Sequence, residues 1–91
     1  MLIVSYDISD DKLRTRFSKF LEKFGFRLQY SVFQVTNSKR VLDNIVSEVE
    51  GKFGKRFAQS DSVIIFKMTE NCQKLTYGYA ANDDKTLIVI D

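Results

Sequence analysis

The chain contains no histidine and a single cysteine, Cys72. Without an imidazole there is no side chain whose ordinary pKa suits proton transfer near neutrality, and no Ser-His-Asp arrangement can form. One cysteine cannot make an internal disulfide or a cysteine-based metal site. No glycine-rich phosphate loop occurs, and no zinc-ligand spacing. Long hydrophobic runs are also missing: nothing approaches the ~20 apolar residues of a membrane span. The opening Met-Leu-Ile-Val-Ser-Tyr has no basic segment and too short an apolar run for a signal peptide. These absences lead us to expect a cytoplasmic protein with no membrane partner.

What is present suits one small folded unit. The 91 residues are 44% hydrophobic and 13% aromatic, enough for a thin core, and oligomerisation is a common remedy for thinness at this size. The formal net charge is only +2, from 14 Lys and Arg against 12 Asp and Glu. Its distribution is uneven. Residues 1–58 hold 11 basic and 7 acidic side chains, whereas residues 59–91 hold 3 and 5. A basic first part is compatible with a polyanionic partner and equally with an ordinary solvated surface.

Leu2 to Ile8 is a β-branched apolar run that reads as a buried strand. Leu13, Phe17, Phe20, Leu21 and Phe24 then fall at helical spacing, with Asp10 and Asp11 in the first turn and Gly25 as the stop. Phe26 to Thr36 alternates and reads as a second strand. Val41, Ile45, Val49 and Phe53 predict a second helix, begun at Asn37-Ser38 and closed by Gly54. Ser62 to Met68 reads as a third strand, Lys74 to Tyr79 as a weaker fourth, and Thr86 to Ile90 as a short apolar last strand. The pattern predicts an α+β fold: a ferredoxin-like βαββαβ sandwich over residues 1–80, with residues 81–91 as an extra strand. A terminal edge as apolar as Leu87-Ile88-Val89-Ile90 is a liability when exposed. We therefore expect it to complete the sheet of a partner in a homodimer, with Leu87 and Val89 at the interface.

The chemistry-bearing residues are few. Ile3, Ser5 and Asp7 share one face of the first strand by its period of two. Asp7 reads either as a turn acid or as a metal ligand. A single carboxylate is a poor Mg²⁺ or Mn²⁺ site, but a twofold dimer could bring two copies of Asp7 together. With no histidine, activation of water would then fall to the metal. In the second strand Arg27, Gln29, Ser31, Phe33 and Val35 are expected on one face, and Phe26, Leu28, Tyr30 and Val32 on the other, the better core candidates. Ser31 reads either as a catalytic hydroxyl near a phosphate or as a small residue that lets two sheets approach. Phe33 reads as dimer-interface packing. Arg14, Arg16, Arg27, Lys39 and Arg40 are the candidate nucleic-acid contacts, since guanidinium groups bind phosphate in bidentate fashion and Lys-Arg pairs suit backbone contacts. Each can equally be a solvated charge. A dimerisation module with no nucleic-acid role is the plain alternative.

The stretches Val4-Ser5-Tyr6-Asp7-Ile8-Ser9-Asp10-Asp11 and Gly25-Phe26-Arg27-Leu28-Gln29-Tyr30-Ser31-Val32-Phe33, with Arg14 and Arg16 between them and Asp61-Ser62-Val63 beyond, resemble the Cas two (Cas2) family of CRISPR-associated endonucleases. The motifs cover residues 1–68. The resemblance implies a ferredoxin-like homodimer, a symmetric magnesium site with Asp7 from each subunit, and a role in CRISPR adaptation, where the dimer bridges copies of the integrase Cas one and holds incoming duplex DNA. It also implies metal-dependent cleavage of RNA or DNA in some members and a non-catalytic scaffold in others. A toxin-type ribonuclease of the same fold fits the motifs less well. This chain has Gln34 where many relatives carry an acid, and Ile64 and Lys67 where many carry a basic residue and a proline.

Overall fold

In the computed structural model, which describes residues 1–69, 73, 75 and 77, the β-branched opening run forms strand β1 (Leu2–Asp7). Helix α1 (Asp11–Glu22) starts where Asp10, in an extended conformation, accepts the Leu13 backbone N–H at 2.8 Å. That bond satisfies one of the helix's orphan donors. Leu13, Phe17 and Leu21 recur at a spacing of four and are all buried. The chain returns through β2 (Gly25–Gln29) and β3 (Val32–Val35). Ser38 then caps α2 (Lys39–Glu48) by accepting the Val41 N–H at 3.1 Å. A wide π-helical turn (Val49–Phe53) and a 3-10 turn (Gly54–Arg56) lead to β4 (Ser62–Lys67).

The four strands form one sheet in the order β2-β3-β1-β4, and every neighbouring pair is antiparallel. Each βαβ unit is thus split by a strand of the other, the ferredoxin-like arrangement expected from the sequence. The expected strand over 74–79 falls outside the described residues except at Leu75 and Tyr77, which are exposed and not in a strand. The expected last strand lies wholly outside them, and with it Leu87, Val89 and the proposed division at residue 80.

One expectation needs correction. Residues 26–36 are not a single strand. The chain reverses at Tyr30-Ser31, giving a β2–β3 hairpin with a bulge where Arg27 faces Phe33 but Gln29 faces Val32. Bulge and reversal break the alternation, because each restarts which residues point to which face. Leu28 and Phe33 are therefore both buried, although five apart, while Phe26 and Tyr30 are exposed. Phe33 lies opposite Val4 in the core and is fully enclosed. It is a core residue of the single chain, not an interface residue on an open face. Arg27, its register partner, belongs to the same side.

The sheet has two unlike faces. One carries Leu2, Val4, Tyr6, Phe33 and Val35 under the helices, where Phe17 packs edge-on to Tyr6 at 5.1 Å and to Phe53 at 5.0 Å. Such ring pairs contribute roughly 0.5–1.5 kcal/mol each beyond their buried area. The other face carries Ile3, Ser5, Val32, Ile64 and Phe66, and has no layer over it among the described residues. Ile64 and Phe66 stand about half exposed on it.

Candidate functional site

Asp7 ends β1 on the open face, opposite Ser62 of β4, and is exposed. The aspartates around it are engaged. Asp10 caps α1, Asp11 pairs with Arg14, and Asp43 lies 3.5 Å from Lys39. Asp61 accepts the Ser9 N–H and hydroxyl at 3.0 Å each and the Ala58 N–H at 2.8 Å. Among the described aspartates, Asp7 alone has a carboxylate with no hydrogen-bond or ion-pair partner in the described residues. That leaves it available as a ligand. It is also isolated, for no group of three His, Cys, Asp or Glu side chains able to hold a metal occurs among the described residues.

The structure brings Ser31 to the same end of β1. Ser31 is in the hairpin turn, and its carbonyl accepts the Tyr6 N–H at 3.1 Å. Arg27 fixes this turn from within: its Nη1 donates to the Tyr30 carbonyl at 2.6 Å, and its guanidinium lies 5.1 Å from the Phe33 ring centre. Arg14 plays a similar part in the β1–α1 loop. Its Nη1 donates to the Ile8 carbonyl at 3.0 Å, while Nη2 is bound to Asp11. Both arginines sit near Tyr6, whose pKa is raised chiefly by burial. Arg27 and Arg14 oppose that rise, and Tyr30 adds to it. Arg14 and Arg27, expected to be phosphate contacts, thus direct donors at backbone carbonyls around the ends of β1 and β2.

The remaining predicted cations stand apart from Asp7. Lys39 and Arg40 begin α2 and line a shallow groove with Asp43, Asn44 and Ser47, where Lys39 pairs with Asp43. Arg16 projects from α1 into a groove with Lys12 and Arg56. Nothing in the sequence pattern sets Lys12 apart, whereas Lys55-Arg56 reads there, like Lys39-Arg40, as a basic pair suited to phosphate-backbone contacts. The missing signal is tertiary. Phe53 is held against Phe17 and Phe20 at 5.0 and 5.5 Å, which sets the turn bearing Arg56 beside α1.

A split βαβ sheet with an unengaged carboxylate at the end of its first strand, a hairpin turn beside it and exposed cations on its helices defines a small ferredoxin-like protein. The family model described as CRISPR associated protein Cas2 matches residues 1–75. A protein of Methanospirillum hungatei named CRISPR-associated endoribonuclease Cas2 2 is 34% identical over 92 residues, spanning 98% of this chain and 97% of that one. The Rhodospirillum rubrum protein named CRISPR-associated endoribonuclease Cas2 4 is 34% identical over 70 residues, 77% of this chain but 54% of its own length. A solved structure titled "Crystal structure of cas2" superposes with a TM-score of 0.69 at 27% identity, covering 96% of this chain and 95% of that one. The chain belongs to the Cas2 family.

Proposed function

We propose that this chain is a CRISPR adaptation subunit: a nucleic-acid-binding homodimer with a divalent-metal-dependent phosphodiesterase site formed by Asp7 of both copies. The observation that carries the reading is the isolation of Asp7, a free carboxylate at the edge of an open apolar face, with no group of metal-ligating side chains around it among the described residues. One carboxylate per chain fits Mg²⁺ or Mn²⁺ only if a twofold interface supplies the other, since these ions take one or two carboxylates and fill the rest with water and phosphate oxygens. Ile64 and Phe66, each about half exposed on that face, are the apolar surface such an interface would cover. When bound, the metal would lower the pKa of a water and offset charge on the phosphate, and the first of these would stand in for the imidazole the chain lacks.

The chain's own residues then have distinct parts. Asp7 holds the cation. Ser31 presents its hydroxyl from the turn at the end of β1, where it can orient a phosphate oxygen. Arg27 and Arg14 hold that turn and the β1–α1 loop in place. Arg16, Lys39 and Arg40 bind backbone phosphates. The second reading is a scaffold that holds duplex DNA for the CRISPR integrase without cutting it. Cations lying away from Asp7 favour it, because binding then needs no carboxylate.

Replacing Asp7 with Asn separates the two. We expect loss of Mg²⁺- or Mn²⁺-dependent cleavage of RNA or duplex DNA, with dimerisation and duplex binding retained. If wild type and Asp7→Asn are equally inert on both substrates while duplex binding persists, the scaffold reading stands and the enzyme reading fails. Sedimentation as a monomer at micromolar concentration removes the shared metal site.

A further inference from the structure

Asp61, just before β4, reaches a segment 52 residues away. Its Oδ1 accepts the Ser9 N–H and hydroxyl, and its Oδ2 accepts the Ala58 N–H. The Asp61 N–H in turn donates to the Ala58 carbonyl at 2.9 Å. The carboxylate is thus fixed in a closed turn before it reaches across to Ser9. The Ser9 and Ala58 backbone donors hold its pKa below the ordinary value. The tie is therefore charged at neutral pH, and its bonds are of the stronger, charge-assisted kind. They lie at the surface, where water competes, so the tie adds little to global stability.

Its position relative to Asp7 gives it a further part. Ser62, the next residue, is the register partner of Asp7 in the last pair of the β1–β4 ladder. Ser9 stands two residues beyond Asp7. The Ser9–Asp61 bonds therefore hold the two chains together immediately past the point where the ladder stops, and strand ends left untied there fray. The other contacts around Asp7 are of two kinds. The Tyr6 N–H bound to the Ser31 carbonyl and the buried Ile8 side chain fix the backbone on either side. Arg14 on the Ile8 carbonyl and Asp10 on the Leu13 N–H belong to the same local segment and move with it. Asp61 is the contact that ties the loop after Asp7 to the start of β4. The Asp7 carboxylate has no partner of its own among the described residues, so its placement comes from the backbone that carries it.

We infer that Asp61 is a positioning residue for Asp7: it locks the β1–α1 loop against β4, so that the Asp7 carboxylate is held in place to ligate a divalent cation. The inference rests on the proposed shared metal site and adds how each chain holds its half. Ligands must be kept within about 0.5 Å of the productive geometry by the residues that support them. When the ligands come from two chains they share no common frame, so each carboxylate depends on its own chain for placement. Loss of the tie then acts on both copies and counts twice.

Binding of Mn²⁺ alone to the full chain tests it, read from paramagnetic broadening of the amide resonances around Asp7. The variants are Asp61→Ala, Asp61→Asn, Ser9→Ala, Asp7→Asn and, as a control that removes an acid from α2, Asp43→Ala. Asp61→Ala should raise the Mn²⁺ midpoint about tenfold, the low end for loss of a group that orients a metal ligand. It should also speed amide exchange at Ser9 and Asp10 with little change in melting temperature. Ser9→Ala loses the hydroxyl bond to Asp61 and no charge, and should raise the midpoint by less. Asp43→Ala should leave it unchanged. The Asp61→Ala shift should persist at high salt, because salt screens a lost charge but not a misplaced ligand. A wild-type midpoint in Asp61→Ala, or a shift that salt removes, overturns the positioning role and leaves the metal site standing. Broadening that is absent around Asp7 in wild type, or unaltered by Asp7→Asn, overturns the metal site and this inference with it. If Asp61→Ala does not fold, Asp61→Asn decides by the same criteria: it keeps an acceptor for Ser9 but turns an amide N–H against the Ala58 N–H.

Discussion

The two faces of the sheet obey the same alternation and meet opposite fates. On one, Leu2, Val4, Tyr6, Phe33 and Val35 vanish beneath two helices and an aromatic cluster centred on Phe17. On the other, equally apolar positions at Ile64 and Phe66 remain half exposed, and Met1, Ile3, Ser5, Val32, Phe66, Met68 and Gln73 line a hollow of about 260 Å³. The closed face is where folding free energy accumulates. The open face has no layer over it among the described residues, and Asp7 lies at its edge. The shared site proposed above needs that face, because only a second copy would supply another Asp7 carboxylate.

The contrast breaks most severely at Phe17. Phe17→Ala should cost about 3–5 kcal/mol, the usual range for a buried aromatic, and leave the protein largely unfolded in denaturant titration. Phe66→Ala on the open face should cost about 1 kcal/mol or less in dilute protein, because roughly half the ring's transfer free energy is already forgone. Its effect should grow with protein concentration if a second copy covers that face. A large, concentration-independent loss at Phe66 would mean that the open face is sealed within one chain.

Gly25 tests the edge that both faces share. A Cβ there would lie 1.9 Å from the Gln34 carbonyl oxygen and 2.6 Å from the Val35 Cα, so Gly25→Ala must push β2 away from β3. We expect a loss of more than about 1 kcal/mol in denaturant titration, together with faster amide exchange in the 25–35 hairpin. The smallest effect belongs to Asp61, at the rim of the closed side. Its folded-state pKa is lowered from 3.8, so its contribution is present above that ordinary value and is lost as pH falls through the lower folded one. The group is solvent-exposed, so the expected signature is local. The resonances of Ser9 and Ala58 should shift together as the pH is taken below 3.8, and Asp61→Asn should abolish that shared titration.

Much of this fold was legible in advance. Residues 2–8 read as a buried strand because they form a β-branched run, and the two helices were plain from apolar spacing and their starting residues. The hairpin was not. Residues 26–36 alternate well enough to pass for one long strand, and the turn at Tyr30-Ser31 carries neither glycine nor proline to announce a reversal. That error placed Phe33 on the wrong face and made a core residue look like an interface. The site was legible to the same extent. Asp7 stood out by type and position, and Arg16 by charge. Nothing in the local sequence separated Arg14 and Arg27, which hold backbone carbonyls, from Arg16, which has no hydrogen-bond or ion-pair partner among the described residues.

The amino-acid sequence by itself determined the alternation of strands and helices, the lack of imidazole chemistry and of an internal disulfide, and the family motifs, because these depend on residue type and short-range spacing. Only the tertiary structure decided which apolar face is covered, that Asp7 is the unengaged carboxylate among the described aspartates, and that Lys12, Arg16 and Arg56 share one groove. Those outcomes depend on a reversed hairpin, on Phe53 docking against Phe17, and on Asp61 joining segments 52 residues apart. Contacts between elements distant along the chain set them, and no local pattern encodes such contacts.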